Sequence, residues 1–373
     1  GDLGAEAYRF VDWLAAAGQR FWQIMPLGPT GYGDSPYSSL SASAGNTSLV
    51  SPEELVKDGL LSESDLAGAE DFPAGRVDYG KVIEFKRGLL EKAFANFRRG
   101  ADDETRRDYE GFLDFAKLWL EDYALFAALG DEHKGEPWPK WGAGLRGREP
   151  AAVERARRES AERVEAHKFF QFAFFRQWLR LKKHCYEKGV LVIGDMPIFV
   201  PHDSADVWAH PHLFKLADDG SPRVVAGVPP DAFSRTGQLW GNPIYDWERM
   251  RGEEFRWWVE RVRETLKLVD VVRLDHFRGF AAAWEVPAEH ETAERGSWVE
   301  VPGRDITVAP IIRRPTEDPR RHLTDVAICP LGKCCAGSFH QRFDAGAGLG
   351  RALLGRGHLF RREYGSSAGH RWR

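Results

Sequence analysis

The sequence predicts an α/β protein in which parallel strands are joined by crossover helices. Three observations lead there. Gly189-Val190-Leu191-Val192-Ile193-Gly194-Asp195 is a short apolar run, rich in β-branched residues and bounded by glycines, which reads as a buried strand. Val269-Asp270-Val271-Val272-Arg273-Leu274-Asp275 repeats that pattern. Long helical patterns alternate with these runs, and such alternation favours parallel pairing over hairpins.

In chain order, Ala5, Tyr8, Val11, Asp12 and Trp13 carry helical spacing over residues 5–17, and Gly18 follows as a stop. Phe21-Trp22-Gln23-Ile24-Met25-Pro26-Leu27 reads as a strand running into a Gly/Pro/Ser/Tyr loop, 28–41. Residues 51–67 read as helix and turn pieces. Helical patterns follow at 81–98, 108–129 and 150–188. The last holds Phe169, Phe170, Phe172, Phe174, Phe175 and Trp178, which read as core rather than a cofactor box. Beyond the Asp195 strand, Met196 to Val200 continue extended. Residues 201–246 read as irregular, and a helix at 252–267 leads into the strand of Asp275. No repeat of 20–50 residues is visible.

The second strand carries the chemistry. Alternate strand residues face the same way, so Arg273 and Asp275 share a face, with His276 next. A guanidinium beside a carboxylate favours its ionised form. Two readings fit: an ion pair that closes a strand, or a nucleophile at a strand's C-terminal end, where barrel enzymes keep theirs.

Composition narrows the class. With 373 residues, 43% of them hydrophobic, the chain can build a large core, and one α/β barrel with insertions could use all of it. A net charge of −4 gives no footprint for nucleic acid or anionic membranes. No apolar run is long enough to span a bilayer. Four cysteines, three of them near the end, are too few for a disulfide scaffold and suit a reducing cytoplasm. Residue 1 is Gly rather than Met, so the start is expected to be missing. Most of the 23 Phe read as core, whereas Trp among the 14 that sit in Gly/Pro/Asn-rich loops suit stacking on sugar rings.

Several motifs, taken together, resemble the 4-α-glucanotransferases of glycoside hydrolase family 77, also called amylomaltases or disproportionating enzymes. They are Gly1-Asp2-Leu3-Gly4, Gln23-Ile24-Met25-Pro26-Leu27-Gly28-Pro29-Thr30, Gly31-Tyr32-Gly33-Asp34-Ser35-Pro36-Tyr37 and Ala44-Gly45-Asn46. Gly194-Asp195-Met196-Pro197-Ile198, Asp203-Ser204-Ala205-Asp206-Val207-Trp208, Gly227-Val228-Pro229-Pro230-Asp231 and Thr236-Gly237-Gln238-Leu239-Trp240-Gly241-Asn242-Pro243 follow in order. The Arg273–Asp275 strand completes the set, which covers residues 1–303.

The resemblance implies a (β/α)8 TIM barrel with inserted helical and loop subdomains, incomplete here at both ends. It implies transfer of an α-1,4-glucan segment to an acceptor sugar with retained configuration. That chemistry needs two carboxyl groups roughly 5–5.5 Å apart. By resemblance Asp275 is the nucleophile, Arg273 holds it ionised, and His276 lies near the sugar. Asp195, Ser35 and Tyr37 match donor-side contacts. Asp231, Phe233, Gln238 and Trp240 match a mobile loop closing over the acceptor, although Trp240 also reads as a loop anchor. The implied partners are α-1,4-glucans and maltooligosaccharides, with glucose or maltose as acceptor, in the cytoplasm. No cofactor is implied. His202, His210 and His212 fit no strong zinc template.

Departures from the family pattern are also visible. Ala232 stands where the family tends to carry Tyr, and Asn46-Thr47-Ser48 replaces Asn-Pro-Tyr; both bear on the acceptor. The family's acid/base Glu, followed by Asp-Leu-Gly, has no full counterpart. Glu317-Asp318-Pro319-Arg320-Arg321-His322 comes nearest, which makes Glu317 the expected acid/base. Residues 304–373 change character, becoming dense in Arg, Gly, Ser and Cys. They read either as a basic disordered tail or, preferably, as a stretch read in a shifted frame from near residue 319. The chain as written is therefore expected to fold poorly and to be inactive. The rival expectations are an α-glucan hydrolase and a non-catalytic glucan-binding protein.

Overall fold

The computed structural model of the chain describes residues 1–67, 72, 73, 75–303 and 305. Among these, seven strands form two sheets: β1 (Phe21–Gln23), β2 (Leu191–Pro197), β3 (Val224–Val228), β4 (Gln238–Pro243), β5 (Val271–Asp275), β6 (Ala282–Pro287) and β7 (Ser297–Glu300). Strands β1, β2 and β5 make a parallel sheet with β2 in the centre. Each of the three follows a helix: Ala5–Ala16, Ala161–Glu187 and Arg256–Leu268 respectively. This is the predicted α/β alternation. A closed barrel is not seen among the described residues.

The entry into β2 shows how sequence sets the frame. Gly189 takes φ +73°, open to glycine without strain. The Val190 N–H then donates to Cys185 at 2.8 Å and the Gly189 N–H to Tyr186 at 3.0 Å, a Schellman close that ends the helix. The apolar run can then enter the sheet. Asp270 sets the neighbouring strand, its Oδ2 accepting the Val192 N–H at 2.9 Å. In the resulting register Asp195 pairs with Arg273 and Pro197 with Asp275.

The helix Ala161–Glu187 supplies much of the core. Phe169, Phe170, Phe172, Phe174, Phe175 and Trp178 are all buried, as expected of a core-facing run. Two buried glutamines on it, Gln171 and Gln177, bracket the backbone of Gly45 and Ser51 with paired hydrogen bonds of 2.7–3.0 Å. These bonds satisfy loop backbone that would otherwise be buried unpaired.

Elsewhere the structure departs from the sequence reading. The pattern at 108–129 is two helices, Asp103–Phe115 and Leu120–Glu132, and the one at 150–188 breaks at Ser160. The supposedly irregular 201–246 contains β3 and β4, which join β6 and β7 in an antiparallel sheet ordered β4-β3-β6-β7. Gly227, Gly241 and Pro243 lie in these strands, and such residues mask a strand pattern. The extended stretch after Asp195 ends as a strand at Pro197.

Candidate active site

The register of β2 and β5 brings three charged groups together at the C-terminal edge of the parallel sheet. Arg273 Nη1 donates to Asp195 Oδ1 at 2.6 Å, and its Nη2 donates to Asp275 Oδ1 at 2.6 Å. Tyr37, from the loop after β1, donates its hydroxyl to Asp195 Oδ2 at 2.7 Å. Exposure grades outward: the Asp195 side chain is 2% exposed, Arg273 21% and Asp275 35%. Asp195 is thus engaged through both oxygens at the bottom of the group. Asp275 is tied through one oxygen, and its Oδ2 has no hydrogen-bond partner among the described residues.

Electrostatics follow from this stacking. Burial works against the Arg273 charge, but the carboxylates of Asp195 and Asp275 outweigh it and raise its pKa. Burial, with the hydrogen bond to Asp195, pushes the Tyr37 phenol up to about 12, so it stays a donor. Burial also lowers the His276 pKa despite the neighbouring Asp275 charge, which favours a neutral ring.

Asp275 opens onto a cleft of about 450 Å³ whose walls include Tyr37, Phe199, His202, Trp240 and His276. His276 leaves β5 in the left-handed region, φ +51°. Its ring meets Trp240 edge-on, with centroids 4.7 Å apart and planes at 86°. Trp240 lies on β4, so the antiparallel sheet brings an aromatic wall to the carboxylates of the parallel one.

The structure therefore brings together Tyr37, Asp195, Arg273, Asp275, His276 and Trp240. Ser35 stands behind Tyr37, its Oγ accepting the Tyr37 N–H at 3.3 Å. Gln238 stands beside Trp240, its Oε1 accepting the indole N–H at 3.1 Å. Asp231 and Phe233 lie in the loop before β4. Asp231 Oδ1 accepts the N–H groups of Phe233 and Ser234, both at 2.8 Å, and Phe233 is 86% exposed. Glu317 and the expected shift of frame near residue 319 lie outside the described residues.

Phe199, His202 and Asn242 also line the cleft. Asn242 lies within a quoted motif, and Phe199 and His202 each adjoin one; that placement is the signal the sequence offers. Among the described residues no cluster of three or more metal-ligating side chains occurs. His202 Nε2 bonds the Gly220 carbonyl, and His212 Nε2 lies 3.1 Å from Glu253. Among the described residues no helix is long and apolar enough to cross a membrane.

Comparison with known proteins follows the same lines. The glycoside hydrolase 77 family model, described as 4-alpha-glucanotransferase, matches residues 1–312. The 4-alpha-glucanotransferase of Thermus thermophilus is 49% identical over 306 residues, covering 82% of this chain and 60% of that protein. The chloroplastic/amyloplastic 4-alpha-glucanotransferase of Solanum tuberosum is 43% identical over 312 residues, covering 82% and 54%. A solved amylomaltase of Streptococcus agalactiae, in complex with acarbose, superposes with a TM-score of 0.79 at 40% identity, covering 82% of this chain and 62% of that one. The chain spans about three fifths of the length of the bacterial relatives.

Proposed function

The chain belongs to the glycoside hydrolase 77 family of 4-alpha-glucanotransferases, and we propose that its cleft takes an α-1,4-glucan and that Asp275 is the nucleophile of a retaining transfer. The observation that carries this is the Arg273 bridge. One guanidinium ties a buried carboxylate to a more exposed one, and the exposed one borders an aromatic-walled cleft. A structural ion pair has no need of a cleft beside it.

In this reading Asp275 attacks the anomeric carbon as the glycosidic C–O bond breaks, forming a glycosyl ester. The departing oxygen takes a proton from a general acid. An acceptor hydroxyl then attacks the ester, giving its proton back to the same group and restoring the configuration. Arg273 holds Asp275 ionised and oriented. Asp195 and Tyr37 face the donor sugar, with Ser35 fixing the Tyr37 turn and His276 beside the reacting ring. Trp240, set by Gln238, stacks on the acceptor, and Asp231 and Phe233 sit on the loop that covers it. Glu317 is assigned the acid/base role, and residues 304–373 are read as a divergent, frame-shifted tail to a barrel domain over 1–303. Three parallel strands, each preceded by a helix and with functional groups at their C-terminal ends, support a (β/α)8 barrel as the parent architecture. Glucose or maltose as acceptor and a cytoplasmic setting complete the proposal.

Because Glu317 stands before Asp318-Pro319 rather than Asp-Leu-Gly, transfer from maltotriose by this chain is expected to be negligible. A donor with a self-sufficient leaving group separates the two halves of the chemistry. With α-maltosyl fluoride and excess glucose, the account predicts fluoride release that Asp275→Asn abolishes, and any glucan product longer than the donor keeps the α configuration. Release of maltose alone supports a hydrolase. Affinity for maltooligosaccharides that survives Asp275→Asn, with no fluoride release by either protein, supports a binding protein.

A further inference from the structure

Three segments meet around His202 and lock its ring. Nε2 lies 2.7 Å from the carbonyl oxygen of Gly220. A carbonyl only accepts, so Nε2 carries the proton and Nδ1 presents a lone pair. The ring packs against Trp138 with centroids 5.2 Å apart. The Trp138 indole N–H donates to the His202 carbonyl at 2.7 Å, and its backbone N–H donates to Asp203 Oδ1 at 3.2 Å. Gly220 closes the arrangement: at φ +81°, a Cβ there would come within 2.8 Å of the Trp138 ring.

These contacts leave one ring atom unused. Among the described residues His202 Nδ1 has no hydrogen-bond partner, and His202 lines the cleft shared by Tyr37, Trp240 and Asp275. Burial lowers its pKa against weaker opposing pulls from the hydrogen bond to Gly220 and the charge of Asp203, which favours a neutral ring. A neutral acceptor suits an uncharged O–H donor, and a ring already fixed loses little freedom on binding.

We propose that His202 is a substrate-contacting residue whose Nδ1 accepts a hydrogen bond from a hydroxyl of a sugar bound in the cleft. This rests on the glucan reading above. The site residues named there supply charge and aromatic surface; His202 adds a directional contact that discriminates among sugars by hydroxyl orientation.

The test uses calorimetric binding of maltoheptaose to the full chain. His202→Gln keeps an N–H near the Nε2 position for Gly220 but has no acceptor at the Nδ1 position. It is expected to weaken binding about 3- to 10-fold, as loss of a neutral hydrogen bond does. His202→Asn, whose amide oxygen reaches the Nδ1 position, is expected to bind within about twofold of the unaltered chain. A second measurement needs no variant. In chain carrying ¹⁵N-labelled histidine, the lone-pair Nδ1 resonance of His202 shifts upfield on adding maltoheptaose. Unchanged affinity in His202→Gln, or an unmoved Nδ1 resonance in sugar-saturated protein, overturns the role of His202 alone. Absence of any maltoheptaose binding by the unaltered chain overturns the glucan reading and this contact with it.

Discussion

Arg273 and Asp275, two positions apart on one strand, meet on the same face at 2.6 Å while the other arm of the guanidinium holds Asp195 from the adjacent strand. The pair is therefore part of a three-member chain of charge that runs from buried to accessible. Removing its centre leaves Asp195 buried with only the Tyr37 hydroxyl for company.

Arg273→Met is expected to destabilise the chain by roughly 3 kcal/mol, the order found when one partner of a buried ion pair is deleted. Urea unfolding with the unaltered chain as reference measures this. A loss below about 1 kcal/mol contradicts the idea that Asp195 depends on the guanidinium.

Tyr37→Phe removes the other bond to Asp195 and is expected to cost about 1 kcal/mol. Alkaline titration checks the same contact. With its phenol pushed up to about 12, Tyr37 stays neutral while an unfolded chain ionises near its ordinary value. Its contribution is thus complete below about pH 10 and is lost as pH rises towards 12. A phenolate signal from Tyr37 at its ordinary pH, read by carbon NMR of labelled tyrosine, contradicts the bond.

Acid is expected to act through the buried imidazoles. Burial lowers the pKa of His167, His202, His210 and His276. The unfolded chain therefore takes up these protons first as pH falls. Stability from this source is present above about pH 6.5 and declines as pH drops through the folded values. Thermal melts between pH 7.5 and 5 measure it, and histidine C–H resonances assign it. A His276 resonance titrating at or above the ordinary histidine value contradicts the burial argument.

Not every motif residue serves the chemistry. Gly45 lies within the quoted Ala44-Gly45-Asn46, but a Cβ there would sit 1.9 Å from the Phe174 ring, and Gln171 grips its backbone at both ends. Gly45→Ala is expected to cost about 3 kcal/mol or to prevent folding, since helix and loop must part to admit the methyl group. Wild-type stability of this variant would contradict the packing described.

These particulars show what could be read in advance. The β2 and β5 strands were legible because buried parallel strands are continuous apolar runs, and the shared face of Arg273 and Asp275 follows from the two-residue period alone. The salt bridge from Arg273 to Asp195 was not legible. It depends on the register of β2 against β5, which no local pattern states, and Asp195 entered only through resemblance. Strands β3, β4, β6 and β7 do not stand out as continuous apolar runs, and β3 and β4 are also punctuated by Gly and Pro. The wall that Trp240 presents to His276 went unseen with them. For His202 the sequence suggests only a metal-ligand reading, since its bond to Gly220 spans a turn that sequence alone does not fold.

The central claim is that the accessible end of the Arg273 bridge captures an anomeric carbon, and a slow-turnover fluorinated maltosyl fluoride tests it most directly. The donor is incubated with the chain, the protein is digested, and the labelled peptide is located by mass spectrometry. The account predicts one glycosyl adduct, on Asp275, absent from Asp275→Asn. An adduct on any other residue, or none under conditions where the cleft is saturated with donor, contradicts it.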